Sequence, residues 1–376
     1  MWLVPALRFP EFSGEWERCA LAEICNIVGR IGFRGYTIQD IVDKGTGAIA
    51  LSPSNITDNR LSYDKDNTYI SYFKYEESPE IKVFVGDIVF VKTGSTVGKV
   101  AYVDNILCET TLNPQLVVLK KIKCNSFLLG QILSASKFQN AIKRITVGGA
   151  VPTLSQNEMG KISVSIPQKM EQKKIATLFH LIDERISVQN KIIDKLETLI
   201  KGIIETVISS QKPKTVIKDC LECNSSILQE SQVAENGSFP VYGATGISGY
   251  TETADVNGES ILIIKDGSGV GTVKFVTGEY SYIGTLNRLI AKDSYCLKYI
   301  YFALQGFSFE PYKTGMAIPH IYFKDYGRAK IFCPTIEKQS AIAQKLSSIE
   351  DKVSVEKQIL FYYQAQKSYL LSQMLI

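Results

Sequence analysis

Residues 167–176 read PQKMEQKKIA and residues 334–343 read PTIEKQSAIA, so a proline, a glutamine and an Ile-Ala pair recur at a spacing of 167. The alignment continues without a gap back to Ala150 and Ala317 and forward to Ile192 and Ile359. Self-similarity over such a length indicates an internal duplication. A second pair lies upstream, because residues 92–100 (KTGSTVGKV) and 265–273 (KDGSGVGTV) both fit K-x-G-S-x-V-G-x-V. The sequence therefore predicts two copies of one unit, each a globular part followed by a helical part.

The helical parts carry apolar residues in alternating steps of three and four, a pattern typical of coiled coils. The seam comprises Phe179, Ile182, Ile186, Ile193, Leu196 and Ile200 in the first helix and Leu346, Ile349, Val353 and Leu360 in the second. Gln189 and Glu356 interrupt the two seams at equivalent positions, and Lys367 breaks the second seam again. At about 1.5 Å rise per residue, some forty residues would form a rod of roughly 60 Å. We expect the helices to pair with each other as a spacer, the alternative being separate bundles against their own domains.

The globular parts are rich in short β-like runs, such as residues 81–85, 87–91 and 260–264, separated by Gly, Asn and Ser. Helical stretches are predicted near residues 125–142 and 296–304. The expected fold class is α+β, with two globular domains alternating with two long helices that pair as an antiparallel coiled coil, in a pseudo-two-fold repeat. The predicted boundaries are 1–167 and 213–334 for the globular domains, and 168–212 and 335–376 for the helices.

The composition is that of a globular protein, with 45% hydrophobic and 21% charged residues among 376, which excludes a largely disordered chain. There is neither a basic N-terminal region followed by an apolar stretch nor an apolar run of about 18 residues, so we expect no secretion signal and no membrane span. The eight cysteines are expected to be reduced thiols of an intracellular protein. The net charge of +4 excludes nucleic-acid binding by bulk charge alone, so a DNA-binding reading needs locally placed basic residues.

The glycine-rich repeat lacks the G-x-x-x-x-G-K-[ST] spacing of a nucleotide-binding loop. Two readings stay open: a structural glycine turn, and a turn that also brings Lys92, Ser95 and Lys99 to DNA phosphates.

Motifs for catalysis or metal binding are weak. Cys220 and Cys223 form a lone C-x-x-C without two further ligands at a recognisable spacing, so no metal is expected. The only histidines are His180 and His320, so no Ser/His/Asp constellation can be argued. Residues 113–116 (NPQL) lack the second proline of the Asn-Pro-Pro-aromatic motif that a DNA adenine methyltransferase needs. We expect no catalytic residues and no cofactor.

Several stretches, in this order along the chain, resemble the specificity subunit of type I restriction–modification systems. They are residues 5–17 (PALRFPEFSGEWE), 31–37 (IGFRGYT), 48–56 (AIALSPSNI) and 239–251 (FPVYGATGISGYT), with the duplicated start of the helices at Pro167 and Pro334. The duplicated arrangement is far more specific to this family than any single motif.

The resemblance implies that each globular part is a target-recognition domain reading one half of a bipartite, asymmetric site in double-stranded DNA. It implies that the helices set the number of bases between the halves and dock two modification subunits, which methylate adenine at N6. Two restriction subunits, which are motor-nucleases, would complete the enzyme. The chain itself would be non-catalytic and cytoplasmic, in a bacterium or archaeon. The alternatives are a self-contained DNA-modifying enzyme and a coiled-coil adaptor that binds no DNA.

Base-reading side chains must be Arg, Lys, Asn, Gln or hydroxyl residues in exposed loops. The candidates in the first domain, besides Lys92, Ser95 and Lys99, are Arg30, Arg34, Asn113, Lys143, Arg144 and Thr146. Those in the second are Lys265, Ser268, Asn287, Arg288, Lys313 and His320, with Tyr242 as a stacking contact.

Overall fold

The two long helices predicted from the heptads are present in the computed structural model, which describes residues 4–32, 35–63, 66–146, 151–315 and 317–376. The α-helices of these residues are α1 Leu21–Ile24, α2 Tyr72–Glu76, α3 Ser126–Ser134, α4 Ser136–Ile145, α5 Gln156–Lys161, α6 Lys169–Ile203, α7 Ile217–Cys220, α8 Leu297–Gln305, α9 Phe323–Tyr326 and α10 Ile336–Met374. A π-helical turn, Ile204–Ser209, continues α6. Within the described residues, no helix combines the length and apolar character needed to cross a bilayer.

The strands of the first half are β1 Glu17–Ala20, β2 Asn26–Val28, β3 Ala48–Leu51, β4 Ile56–Thr57, β5 Arg60–Leu61, β6 Thr68–Ile70, β7 Ile88–Val91, β8 Val100–Tyr102, β9 Thr110–Leu112, β10 Leu116–Lys120 and β11 Ser163–Ile166. Those of the second half are β12 Thr215–Val216, β13 Leu221–Ser225, β14 Phe239–Gly243, β15 Gly246–Thr251, β16 Val256–Asn257, β17 Ser260–Ile264, β18 Val273–Val276, β19 Glu279–Tyr282, β20 Leu286–Ala291 and β21 Lys330–Ile331.

The chain divides into two compact units. The first unit comprises Met1–Ser187 and Phe361–Ile376, and the second comprises Val188–Leu360. Each therefore contains one globular part and a segment of both α6 and α10. The mixture of helices and sheets agrees with the expected α+β class.

The first unit contains a six-stranded sheet in the order β2-β10-β7-β8-β5-β4 and a three-stranded sheet in the order β6-β3-β9. Side chains on successive strand residues point to opposite faces. Accordingly, Ile88 and Phe90 join the core that contains Trp16 and Phe138, whereas Val89 and Val91 join a separate core on the other face. Burial on both faces explains why β7 reads as a continuous apolar run.

One predicted β-run in the first unit is wrong. Residues 81–85 form no strand, because Pro79 starts a 3-10 turn, Pro79–Ile81, and Gly86 then takes a positive φ of 96°. The run is apolar because Ile81 and Val83 are buried in the core beneath the sheet. The predicted helical stretch near 125–142 is confirmed as α3 and α4.

The second unit repeats this architecture with fewer strands. Its main sheet has the order β13-β20-β17-β18, and a second sheet has the order β15-β14-β19-β16. Both units contain an equivalent parallel pair, β3 with β9 and β14 with β19, and the first unit has a second parallel pair, β5 with β8. The helix predicted near 296–304 is confirmed as α8.

Within the first unit, α6 and α10 run antiparallel. Asp183 meets Lys367 at 2.7 Å between Oδ1 and Nζ, and the guanidinium of Arg185 lies 5.9 Å from the ring centre of Tyr363, so rising numbers on α6 meet falling numbers on α10. The seam residues Phe179 and Ile182 are buried, and Ile186 packs against the same core.

Within the second unit, the helices are again antiparallel. Gln189 donates from Nε2 to the backbone oxygen of Glu356 at 3.0 Å, and to its carboxylate, while Ile204 shares a core with Leu346. The predicted seam residues Ile193, Leu346 and Val353 are buried here. Leu196, Ile200, Ile349 and Leu360 are half-buried.

The glutamine that recurs at the start of each long helix joins the helix to its own globular part. In the first unit, Gln172 accepts from the backbone N–H of Asn125 at 2.8 Å and donates to the Pro167 oxygen at 2.7 Å. In the second unit, Gln339 accepts from Cys296 at 3.0 Å and donates to Pro334 at 2.8 Å. Both amides therefore satisfy backbone groups at the helix start, which explains the duplicated proline and glutamine.

Candidate nucleic-acid interface

The first K-x-G-S-x-V-G stretch is the turn between β7 and β8. Gly94 and Gly98 have φ angles of 106° and 99°, a region that glycine adopts without steric cost. The Gly94 N–H donates to the Pro152 oxygen at 2.9 Å, and the Leu154 N–H donates to the Lys92 oxygen at 2.8 Å. These bonds fasten the turn to the segment that leads into α5.

The second unit contains the same construction between β17 and β18. Gly267 has a φ of 104° and donates from its N–H to the Pro319 oxygen at 2.9 Å. The Ile321 N–H donates to the Lys265 oxygen at 2.9 Å. His320 and Thr314 exchange two backbone hydrogen bonds, at 2.8 and 2.9 Å, in the segment that the turn contacts. In each unit, backbone hydrogen bonds thus hold the glycine turn against a loop that comes later in the chain, so the two segments lie side by side.

The turn residues of the first unit differ in exposure. Ser95 and Lys99 are exposed, and Lys92 is half-buried. The Nζ of Lys99 lies 3.5 Å from the Ile56 oxygen, a weak contact. At the end of α4, Lys143 and Arg144 are exposed.

Four further positions complete the first unit. The hydroxyl of Thr146 donates back to Ile142 at 2.8 Å. Arg30 donates from Nη2 to the Leu112 oxygen at 2.7 Å, and its burial lowers the pKa of the guanidinium. The side chain of Asn113 donates from Nδ2 to Oε1 of Gln115 at 3.2 Å, and its Oδ1 accepts from the backbone N–H of Gln115 at 2.9 Å. Arg34 lies outside the described residues.

In the second unit, the structure places Ser268 in the open and Lys265, Lys313 and His320 half-buried. Lys313 forms an ion pair with Glu310. The rings of His320 and Tyr322 meet edge to face at 5.0 Å.

Asn287 and Arg288 are neighbours on β20 and point to opposite faces. Asn287 is only 5% exposed and accepts from the Ser225 hydroxyl at 2.8 Å. Arg288 is half-buried and donates from Nε to the Ser260 hydroxyl at 2.7 Å. The predicted stacking residue, Tyr242, lies under the ammonium of Lys274 at 4.6 Å and against Tyr280 at 5.5 Å.

Sequence reasoning missed partners of the predicted residues. Gln115 orders Asn113, Tyr36 lies 5.9 Å below the Arg30 guanidinium, and Lys274 covers Tyr242. Gln139 donates to the Gly98 oxygen at 2.8 Å and so braces the first glycine turn. The contact of Gln115 with Asn113 could be predicted from the sequence, because the two residues are only two positions apart. The other pairs join residues that are distant in the sequence, so no local pattern predicts them.

The cysteines of the C-x-x-C stretch are protonated at neutral pH. A hydrogen bond with Cys333 and burial raise the pKa of Cys220, and burial raises the pKa of Cys223 to about 11. Among the described residues, no three His, Cys, Asp or Glu side chains are grouped so as to hold a metal ion. The side chains at the two turns include hydroxyl donors and lysines, the groups that contact phosphates in protein–nucleic acid interfaces.

The duplicated turns, sheets and long helices define a class of protein built from two similar units, and comparisons identify the family. The sequence model of the type I restriction modification DNA specificity domain matches twice, at residues 13–198 and 215–361. The chain therefore belongs to the family of DNA-binding specificity subunits of type I restriction–modification systems.

Individual relatives are distant. A Methanocaldococcus jannaschii protein, named as the MjaX specificity subunit of a type I restriction enzyme, is 22% identical over 92% of this chain and 89% of its own length. The crystal structure of the type I restriction–modification S subunit from M. genitalium has a TM-score of 0.67 at 15% identity and covers 99% of both chains. A chain from a study of complex assembly and conformational transition in the type I R-M system has a TM-score of 0.52 at 15% identity, covering 96% of this chain and 97% of its own.

Proposed function

We propose that this specificity subunit reads a bipartite, asymmetric site in double-stranded DNA, with one half read by each globular part. The observation that carries the proposal is the duplicated glycine turn fastened to a loop, at Gly94 with Pro152 and again at Gly267 with Pro319. Two copies of one surface suit two half-sites. Because the side chains around the two turns differ, the halves would differ in sequence.

Within each surface, we assign phosphate contacts to the turn residues and base contacts to the side chains around them. Lys92, Ser95 and Lys99 would hold the backbone in the first unit. Lys265 and Ser268, which the sequence predicts as base readers, would do the same in the second unit, because they occupy the equivalent turn. The base-reading candidates are Arg30, Arg34, Asn113, Lys143, Arg144 and Thr146 in the first unit, and Arg288, Lys313 and His320 in the second, with Tyr242 as a stacking residue. The buried Asn287 would support the strand that presents Arg288.

We further propose that the chain is non-catalytic, needs no cofactor and acts in the cytoplasm through partners. Two modification subunits would methylate adenine at N6, and two restriction subunits, which are motor-nucleases, would cut DNA. The net charge of +4 supports this division, because much of the phosphate neutralisation would fall to the partners. The lone chain would then bind DNA weakly and with strong salt dependence.

The long helices would set the number of unspecified bases between the half-sites. With 35 and 39 residues, α6 and α10 are about 52 and 58 Å long. A separation of one turn of DNA, about 34–36 Å, is shorter than either helix.

Lengthening both helices tests this ruler. Four added residues extend a helix by about 6 Å, or roughly two base pairs. With four residues inserted into both α6 and α10, the methylated sites should keep both half-sites while the spacer grows by one or two base pairs, roughly. The measurement is sequencing of methylated adenines in cells that also express the modification subunit. The same four residues inserted after the exposed Asn105 are the control and should leave the spacer unchanged; an unchanged spacer in the helix variant would refute the ruler.

A further inference from the structure

Strand β18 forms one edge of the main sheet in the second unit, whereas its counterpart in the first unit is covered. The sheet of the second unit ends in the order β17-β18, but that of the first continues as β7-β8-β5-β4. Among the described residues, no strand pairs with the outer side of β18. An unpaired strand edge presents backbone donors and acceptors that can pair with another chain.

The two strands correspond residue by residue, because each begins at the last valine of the K-x-G-S-x-V-G-x-V repeat. In the first unit, the Val91 N–H bonds to the Lys99 oxygen at 2.9 Å, and in the second the Ile264 N–H bonds to the Thr272 oxygen at 3.0 Å. Hydrogen-bonded and non-hydrogen-bonded positions alternate in an antiparallel pair. The backbone groups of Tyr102 and of its equivalent, Phe275, therefore face outward.

In the first unit that outward side is occupied. Arg60 of β5 pairs in parallel with Tyr102, and its guanidinium extends to the Asp183 carboxylate on α6, at 3.8 Å. Strands β4 and β5 belong to the connection of residues 52–67 between β3 and β6. The second unit joins the corresponding strands, β14 and β15, through only Ala244 and Thr245, so this connection supplies no strand to the edge of β18.

A cleft of about 860 Å³ lies along the exposed edge in the second unit. Gly271, Thr272 and Val273 line it on the strand side. The helix side contributes apolar Ile204 and Val353, the carboxylates of Glu197, Glu205 and Glu350, and the ammonium groups of Lys201 and Lys357. Lys357 is paired with Glu197 at 2.7 Å.

Glu350, in the cleft, stands at the position equivalent to Asp183, the residue that Arg60 reaches in the first unit. Glu350 is separated from Asp183 by the repeat spacing of 167 and accepts from Lys298 at 2.7 Å and from the Tyr301 hydroxyl at 2.9 Å. Glu350 is therefore already paired with Lys298, and a basic side chain that followed the course of Arg60 would share this carboxylate with Lys298, as Arg60 shares Asp183 with Lys367.

We propose that the outer edge of β18 binds an extended segment of a partner protein, which adds as a strand parallel to β18 and places a basic residue opposite Phe275. That residue would extend toward Glu350 and Glu205, as Arg60 extends toward Asp183. We infer this kind of segment from the first unit, because the equivalent edge there pairs in parallel with β5, a strand that carries the basic residue Arg60. Strand addition is a known mode of peptide recognition. The proposal goes beyond DNA reading, and its test contains no DNA, so it can fail independently of the proposed function.

The probe is a synthetic peptide with the sequence of residues 52–62, added in excess to the full chain. We expect it to slow hydrogen exchange at the backbone amides of Val273 and Phe275 while leaving Tyr102 unchanged, because β5 already pairs with Tyr102. A peptide with Arg60→Glu should bind more weakly by about fivefold or more, because repulsion replaces attraction at the carboxylates.

Val273→Pro is the matched variant of the protein. It removes one outward N–H, which the bonds to β17 do not use, and proline is tolerated on edge strands; the peptide should no longer protect Phe275. The charge-reversed peptide tests the same contact with the protein unaltered, so the test stands even if V273P unfolds. No protection at Val273 and Phe275, or equal protection by the two peptides, would overturn the proposal.

Discussion

At the scale of single residues, the opening segment is held to the first long helix by a buried ion pair. Glu171 has no exposed side-chain surface, and Arg8 donates to both of its oxygens at 2.7 Å. The indole N–H of Trp16 donates to the same carboxylate at 3.3 Å. This bidentate pairing explains why Arg8 and Trp16 stand in the segment that resembles the family's start.

Arg8→Ala should lower the free energy of unfolding of the first unit by about 3 kcal/mol, because it leaves the Glu171 charge buried without its cation. The free energy of unfolding of the first unit can be measured by hydrogen exchange of its backbone amides at increasing urea concentrations. Arg18→Ala is the control, since Arg18 is exposed and its removal should change stability little. A loss for R8A no larger than that for R18A would contradict the account.

We expect Glu356 to make the stability of the second unit depend on pH in the acid range. Hydrogen bonds from Lys352 and then from Gln189 hold the pKa of its carboxyl below the usual range. A carboxyl whose pKa is depressed on folding contributes stability above its unfolded pKa and loses it as the pH falls through the folded value. Wild-type stability should therefore fall more steeply than that of Glu356→Gln from roughly pH 5 downward. Denaturant midpoints across this range test the prediction, with Glu259→Gln, at an exposed position, as the variant that should behave like wild type.

At the scale of the elements, the polar residues that break the heptads are paired with one another. Gln189 and Glu356 occupy equivalent positions of the repeat and bond to each other. Lys367, which in the sequence only interrupts the second seam, meets Asp183 of the first helix. Buried polar residues in coiled coils fix register at a cost in stability.

Replacing the central pair should separate stability from register. Gln189→Leu alone should destabilise the second unit, because the Glu356 carboxylate loses a donor while it stays buried. The double variant Gln189→Leu/Glu356→Leu should exceed wild type by about 1–4 kcal/mol, as when apolar residues replace a buried charged network. The free energies of unfolding of wild type, the single variant and the double variant can be compared by urea unfolding. A double variant no more stable than wild type would contradict this and would show that the pair itself stabilises the second unit.

The elements also show what sequence reasoning could reach. Heptads and the proline-glutamine start are local patterns, so both long helices were predicted from them. The Lys367–Asp183 bond was not, because its two residues belong to different helices and neither position reveals the other. The strand predicted over residues 81–85 failed because apolar periodicity does not distinguish a buried turn from a buried strand.

At the scale of the whole molecule, the duplication is the feature that the sequence revealed most fully. The repeat spacing identified both glycine turns and both helix starts. It could not reveal that the connection between β3 and β6 supplies β4 and β5, which have no counterpart among the described residues of the second unit, because no matched position of the repeat precedes that connection. Among the candidate contacts, Lys99, Lys143 and Arg144 are exposed, whereas the burial of Asn287 depends on strand pairing with β13, which a single position does not disclose.

Methylated adenines can be mapped in cells that express this chain with its modification subunit. We expect one motif with two unlike halves, separated by a constant number of unspecified bases and absent when the chain is omitted. A single uninterrupted motif, or two halves at variable spacing, would contradict it.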